Sequence, residues 1–253
     1  MSGAHHPSAG MGGDARLRAP GPGPAAGLRV PGPGTVAGRL LDLAFPAVCV
    51  GCGREGTALC GPCGRALAAR EGEPAGAPVG MPSDVPLPLV QLEWCAPYGG
   101  LVRDALHALK YRGEQRLAGP LGAAAAARWR EASIGGDALV HVPVHPARRA
   151  ARGYDQAELL ARAAGAALAC PVLAALRRER ATAPQYELGR DRRAANVAAA
   201  FAVDPALRAA VAGRWFVLID DVVTTGATLV ACAEALLEAG AAAVSALTIA
   251  REA

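Results

Sequence analysis

Residues 217–229 read VLIDDVVTTGATL. An apolar run of this kind is a buried strand, and it delivers Asp220 and Asp221 to its carboxyl end, where ligands bind in open α/β sheets. A short loop follows, and a helix is expected to begin near Ala227. The N–H groups of a helix's first turn lack internal partners and carry partial positive charge, so they attract phosphate. Gly226 lets backbone approach closely, and the hydroxyls of Thr224, Thr225 and Thr228 are donors for phosphate oxygens. The acids suit other work, because acceptor-only carboxylates match vicinal sugar hydroxyls or a hydrated Mg2+ ion. A phosphate with a diol a few ångströms away satisfies both halves, and that describes a ribose 5-phosphate group. Two plainer readings stay beside it. Thr-Thr-Gly is also a helix cap, and paired aspartates also hold Mg2+ in receiver-type domains, although those place the acids near the start of the domain.

Working outward, hydrophobic patterning predicts strands near 89–96, 138–144, 172–178, 215–220 and 243–250. Helices are predicted over 100–111, 115–131, 155–169 and 227–239, the last ended by Gly240. Strands alternating with helices imply an α/β fold with a mostly parallel twisted sheet covered on both faces. Trp94 and Tyr111 are candidate core residues. His141 reads as a strand residue and His145 as a loop residue. Residues 145–152, HPARRAAR, read as a basic loop.

The chain has 253 residues, 52% of them hydrophobic, enough for one sizeable domain with a small appendage and too apolar for a wholly disordered protein. Aromatics are only 4%, so Ala-rich helices packed closely are expected. A net charge of +4 permits contact with nucleic acid or phosphorylated ligands without demanding it. Of 26 basic residues only Lys110 is lysine, a bias consistent with GC-rich coding. Residues 1–34 are rich in Gly and Pro and are expected to form a disordered tail, with translation starting nearer Val36 as one explanation. VAGRLLDLAF then suggests a short helix, and 70–86 a Pro/Gly-rich linker between a module at 36–69 and the main domain at 87–253. The sequence carries no secretory signal and no stretch of the ~20 apolar residues that a spanning helix needs. A cytoplasmic protein without membrane insertion is therefore expected, and its oligomeric state is open.

Between tail and linker, CVGCGREGTALCGPC places Cys49, Cys52, Cys60 and Cys63 in a C-x2-C-x7-C-x2-C array. Two Gly-containing turns, each aiming two thiolates at one point, suit a structural Zn2+ in a double-zinc-ribbon-like module. Four thiolates also serve an iron–sulfur cluster, and four unrelated reduced cysteines are the plain alternative. Cys95, Cys170 and Cys232 are isolated and read as small core residues.

The thirteen residues 217–229 resemble the phosphoribosyl-pyrophosphate (PRPP) signature of type I phosphoribosyltransferases. HVPVHPARRAARGYDQAELLA and ATAPQYELGRDRRAANVAAAF resemble segments of the ComF (ComFC) family, as do LKY at 109–111 and the four-cysteine module. The matches include Arg152, Gly153, Tyr154, Gln156 and Ala157, and then Gln185, Leu188, Arg193, Asn196, Val197 and Phe201. Asp155 stands where the family has Asn. The resemblance implies a type I phosphoribosyltransferase fold with a small N-terminal zinc-binding module, and PRPP with Mg2+ as ligand. It implies that Asp220 and Asp221 hold the ribose hydroxyls and that Thr224, Thr225, Gly226, Ala227 and Thr228 cradle the 5-phosphate. Arg148, Arg149, Arg152 and Lys110 become candidates for pyrophosphate, and Arg193 and Asn196 for a hood over the sugar. Transfer of a phosphoribosyl group is one implied function. The other is PRPP sensing or single-stranded-DNA binding alongside competence proteins in DNA uptake.

Overall fold

The computed structural model describes residues 46–74, 85–178 and 200–252. The expected tail, the 36–45 helix, much of the linker and the hood, with Arg193 and Asn196, lie outside the described residues.

In chain order, the four-cysteine segment ends in a one-turn helix α1 (Gly61–Gly64) and a 3-10 turn (Arg65–Ala68). Then come β1 (Gln91–Pro97), α2 (Gly100–Tyr111), α3 (Ala118–Glu131), β2 (Ala138–His141), α4 (Pro146–Arg152) and α5 (Gln156–Leu168). Two short strands, β3 (Leu176–Arg178) and β4 (Phe201–Val203), precede α6 (Arg208–Val211), β5 (Trp215–Val223), α7 (Ala227–Glu238) and β6 (Ala243–Arg251).

Four strands form a parallel sheet in the order β1-β6-β5-β2. Its two central strands are the nine-residue ones, β5 and β6, which are apolar on both faces because both are covered. Alternate residues supply two cores. Val217, Ile219, Leu247 and Ile249 pack with α2, α3 and α5 on one face. Phe216, Leu218, Val244 and Ala246 pack with α7 and the β3–β4 pair on the other. The α/β class expected from the sequence, a mostly parallel sheet flanked by helices with a four-cysteine cluster near the N-terminus, is what the structure contains. Close packing of the Ala-rich helices is equally concrete at Gly122 of α3, where a Cβ would lie 2.4 Å from the Cβ of Ala163 in α5.

The four-cysteine segment shares the first of these cores. Cys49, Ala58, Leu59, Cys60 and Leu67 are buried in one cluster with Cys95, Val102 and Ala105. Beside that seam lies Glu93, fully buried, whose Oε2 accepts from Arg128 Nε and Nη2 at 3.2 and 2.8 Å and from Arg70 Nη1 at 3.2 Å. Arg128 also donates to the carbonyls of Arg70, Glu73 and Pro74, so the same cation pins the segment after the cysteines.

Several expectations need correction. The basic loop at 145–152 is mostly helix: Pro146 suits a first helical turn, and the His145 ring accepts from the Ala147 N–H as an N-cap. The strand expected over 172–178 is split. Val172 makes one parallel bridge to Leu139, and Leu176–Arg178 pairs antiparallel with Phe201–Val203, a partner that local patterning does not reveal. β2 stops at His141, and β5 runs three residues past Asp220. Trp94 is core, but Tyr111 is 65% exposed.

Candidate functional site

The parallel sheet directs β5 and β6 so that their carboxyl ends open together, with Asp220 opposite Thr248 in register. Because strand side chains alternate, consecutive acids must point to opposite faces. Asp220, half-buried, lies on the side of Cys232 in α7 and Arg178 in β3, whose pKa values both respond to its charge. Asp221, buried, points toward α2 and forms an ion pair with Lys110. The Asp220 carboxylate also accepts the Asp221 N–H at 2.8 Å.

Burial pushes the Asp220 carboxyl well above its ordinary range, and the adjacent Asp221 charge adds to the effect. Burial would lower the pKa of Lys110, but the charge and hydrogen bond of Asp221, helped by Asp220, hold it above its usual value. Lys110 is thus a fixed cation. Asp220, half-buried, has no ammonium of its own among the described residues, which leaves it ready for hydroxyl donors or a cation.

The loop after β5 presents Thr224 and Thr225 to solvent and turns into α7 at Gly226. Gly226 has φ +78°, and a Cβ there would sit 3.1 Å from Pro86 Cγ. Glycine is needed for both reasons. It offers no side-chain cap, so apart from the Ala227 N–H, 3.4 Å from Thr225 Oγ1, the first turn of the twelve-residue helix keeps its amides for an anion.

On the Lys110 side, Lys110, Arg148 and Arg152 line one pocket of about 500 Å³ with Tyr111 and Tyr154. Arg149 is directed elsewhere, toward Glu158 at 3.3 Å. The junction between α4 and α5 is firmly set. Asp155 accepts from the Ala157 and Glu158 N–H groups at the start of α5 and from Val144 N–H at the end of the preceding segment, so its carboxylate caps the helix. The Tyr154 hydroxyl donates to the Leu109 carbonyl and fixes this junction against α2. Sequence reasoning passed over Arg178, which ends β3 close enough to Asp220 and Arg148 to feel both charges, while burial lowers its pKa. The Arg-Arg pair at the strand end was its only signal.

The Sγ atoms of Cys49, Cys52, Cys60 and Cys63 all lie within 4.8 Å of one another. Cys52 and Cys60 are 3.6 Å apart, close to the roughly 3.8 Å edge of a tetrahedron with metal–sulfur bonds of about 2.3 Å. Burial opposes ionisation of the Cys49 thiol, but N–H donors from Cys60, Cys52 and Gly51 outweigh it and bring its pKa to about 6. The four sulfurs fit one tetrahedral ion, as structural zinc requires. Of the isolated cysteines, Cys95 and Cys232 are buried and Cys170 is partly exposed.

Over 203 residues the chain is 32% identical to the DNA utilization protein YhgH of Escherichia coli K12, covering 78% of this chain and 81% of that one. The chain belongs to the YhgH family. Its members from E. coli O157:H7 and Salmonella typhi are 39% and 38% identical over 109 residues, 43% of this chain and 46% of theirs. No family model matches. Among solved structures, the glutamine PRPP amidotransferase of B. subtilis, complexed with ADP and GMP, is 19% identical with a TM-score of 0.38, over 53% of this chain and 27% of that one. In this YhgH relative, no helix among the described residues is long and apolar enough to cross a membrane.

Proposed function

We propose that this protein binds PRPP as a type I phosphoribosyltransferase does and transfers its phosphoribosyl group with release of pyrophosphate. The observation that carries the reading is the junction of β5 and α7. Asp220 and Asp221 lie near the carboxyl end of a buried strand, and six residues after Asp221 an uncapped helix begins behind Thr224, Thr225 and Gly226. In this reading the carboxylates take the ribose hydroxyls, and residues 224–228 take the 5-phosphate.

The leaving pyrophosphate falls to Arg148, Arg152 and Lys110, whose forked or compact charges suit its oxygens. Arg149, in its present pairing with Glu158, contributes only after that pair opens. Asp220 and Asp221 are the groups that would face Mg2+, which when bound supplies charge neutralisation on the pyrophosphate. Departure of pyrophosphate leaves cation-like charge on the sugar, next to the carboxylates. Catalysis then rests on positioning and electrostatics, with no covalent nucleophile required. Arg193 and Asn196 are proposed to close over the sugar. The four cysteines are proposed to hold a structural zinc ion in a module at 36–69, joined through a linker at 70–86 to the main domain at 87–253. The compartment is proposed to be cytoplasmic.

A second reading is supported by the relatives, which are DNA utilization proteins. In it the same site senses PRPP without turnover, and the protein handles single-stranded DNA with competence proteins. Calorimetry with PRPP and Mg2+ on wild type, Asp220→Asn and Asp221→Asn tests the ligand, and equal binding by all three would sink the site assignment. Pyrophosphate release across a panel of bases and amines separates the two readings, since a sensor binds without releasing it.

A further inference from the structure

Two guanidinium groups lie over one buried indole. The ring centroid of Trp94 in β1 is 3.8 Å from the Arg70 guanidinium carbon and 5.0 Å from that of Arg251. The two cations come from distant parts of the chain: Arg70 follows the cysteine segment, and Arg251 is the last residue of β6. Glu93 offsets Arg70 at 3.2 Å, while burial and the nearby Arg70 charge both press the Arg251 pKa down. The arrangement therefore carries an electrostatic cost. Apolar contacts alone would hold β1 to β6. What a planar guanidinium stacked on an indole adds is a fixed orientation.

The part so oriented lies at the carboxyl edge of the sheet. Trp94 stands in one cross-strand row with Thr248 of β6 and Asp220 of β5. Beyond that row, the backbone of Arg251 ties three strands together. Its carbonyl accepts the Tyr98 N–H, just past β1, at 2.6 Å, and it lies in register with Val223, the last residue of β5. The next N–H, that of Glu252, donates to the Val223 carbonyl at 2.9 Å. Thr224, Thr225 and Gly226 follow Val223 directly. The position of Arg251 thus sets where the loop before α7 leaves the sheet.

We infer that Trp94, gripped by Arg70 and Arg251, is a positioning residue for that loop. Through it the segment after the cysteines sets the aim of residues 224–226 from the opposite edge of the sheet. Trp94 needs no contact with ligand for this role. The inference deepens the PRPP reading and rests on it for the identity of the ligand, but not for the mechanical link from Arg70 to Val223.

The test uses the full chain and its Arg70→Met, Trp94→Leu, Arg70→Met/Trp94→Leu and Trp94→Phe variants. Hydrogen exchange is followed at the Glu252 and Tyr98 amides, with amides of β2 as the internal reference for global unfolding. Calorimetry is run with ribose 5-phosphate and with inorganic pyrophosphate. Arg70→Met should speed exchange at Glu252 about fivefold relative to β2 and weaken ribose 5-phosphate by a similar factor, leaving pyrophosphate as in wild type. Trp94→Leu should do the same, and the double variant should be no worse than either, because both changes break one route. Trp94→Phe keeps an aromatic face, so it should recover most of both effects and stands in if Trp94→Leu does not fold. A merely structural role would speed exchange at Glu252 and β2 alike and weaken both ligands together. That result overturns the inference, as do additive effects in the double variant or an Arg70→Met protein with wild-type exchange at Glu252. If wild type binds no ribose 5-phosphate, the PRPP reading fails, and exchange at Glu252 and Tyr98 still decides the positioning role.

Discussion

The ammonium of Lys110, at the end of α2, is paired with the buried carboxylate of Asp221 in β5, and this pair joins the helix that carries the pocket to the strand that carries the acids. Lys110 is also the chain's one lysine. A compact ammonium on a flexible stem reaches a single carboxylate oxygen, whereas a planar guanidinium needs more room. Lys110→Met should therefore cost about 1.5–3 kcal/mol, because it strands a buried carboxylate, and the loss is read from the urea midpoint. Lys110→Arg should recover part of that stability but not PRPP affinity. Full recovery of both would show that only the charge matters.

Asp220 should behave in the opposite way. Its pKa is raised by burial and by Asp221, so ionising it opposes folding. Below the ordinary carboxylate range both folded and unfolded chains carry the proton, and Asp220→Asn should match wild type in stability. As pH rises above that range, the unfolded chain ionises freely while the folded one resists, so wild type loses stability relative to the Asn variant. Asp220→Asn should thus be the more stable protein at neutral pH while losing PRPP. Thermal melts of both proteins from pH 3 to 8 measure the difference, and a gap that shrinks with rising pH contradicts the assignment.

Glu93 carries the strongest structural prediction. It is fully buried with two arginines on one oxygen, and removing its charge leaves Arg128 and Arg70 facing only the more exposed carboxylates of Glu131 and Glu73. Glu93→Gln should cost about 3–5 kcal/mol. Arg128 also binds the carbonyls after the cysteine segment, so hydrogen exchange at residues 65–73 should accelerate along with global unfolding. Loss of stability without that local change would separate the two roles.

These residues also mark where sequence reading ends. The central strands and the β5–α7 junction were legible because continuous apolar runs, paired acids and a Gly-containing turn are local signals. Helix α4 was not, since PARRAAR has no apolar face and forms through Pro146 and the His145 cap. Glu93 meets Arg128 across 35 residues, and β3 meets β4 across the residues between 178 and 201, pairings that no local period encodes. Tyr111 was misplaced for a simpler reason: aromatic content suggested core, while its helical phase placed it opposite Leu106 and Leu109.

The cysteine cluster allows a prediction about cooperativity. Leu59 and Cys60 are buried in the same apolar cluster as α2 and α3, so metal binding and domain folding should be linked. Chelation, or Cys52→Ser, should lower Tm for the whole described unit in one transition. Elemental analysis should give one zinc per chain in wild type and less in the variant. A separate low-temperature transition with the main melt unchanged would mean that the module folds alone.

Gly226 tests the phosphate cradle most directly. Its left-handed backbone costs a non-glycine residue about 1–2 kcal/mol, and an added methyl presses on Pro86 at 3.1 Å. Gly226→Ala should destabilise the protein modestly by that amount. The larger effect should fall on ligand, because relaxing the strain tilts the first turn of α7 and misdirects the amides of residues 227–229. Binding of PRPP should then drop at least tenfold, and binding of ribose 5-phosphate should drop in parallel, since both use the same phosphate contacts. Inorganic pyrophosphate, proposed to sit on Arg148, Arg152 and Lys110 on the other side of Asp221, should bind Gly226→Ala as it binds wild type. If pyrophosphate weakens as much as ribose 5-phosphate, the two phosphate sites are not separate, and the division of labour between α7 and the arginine pocket is wrong.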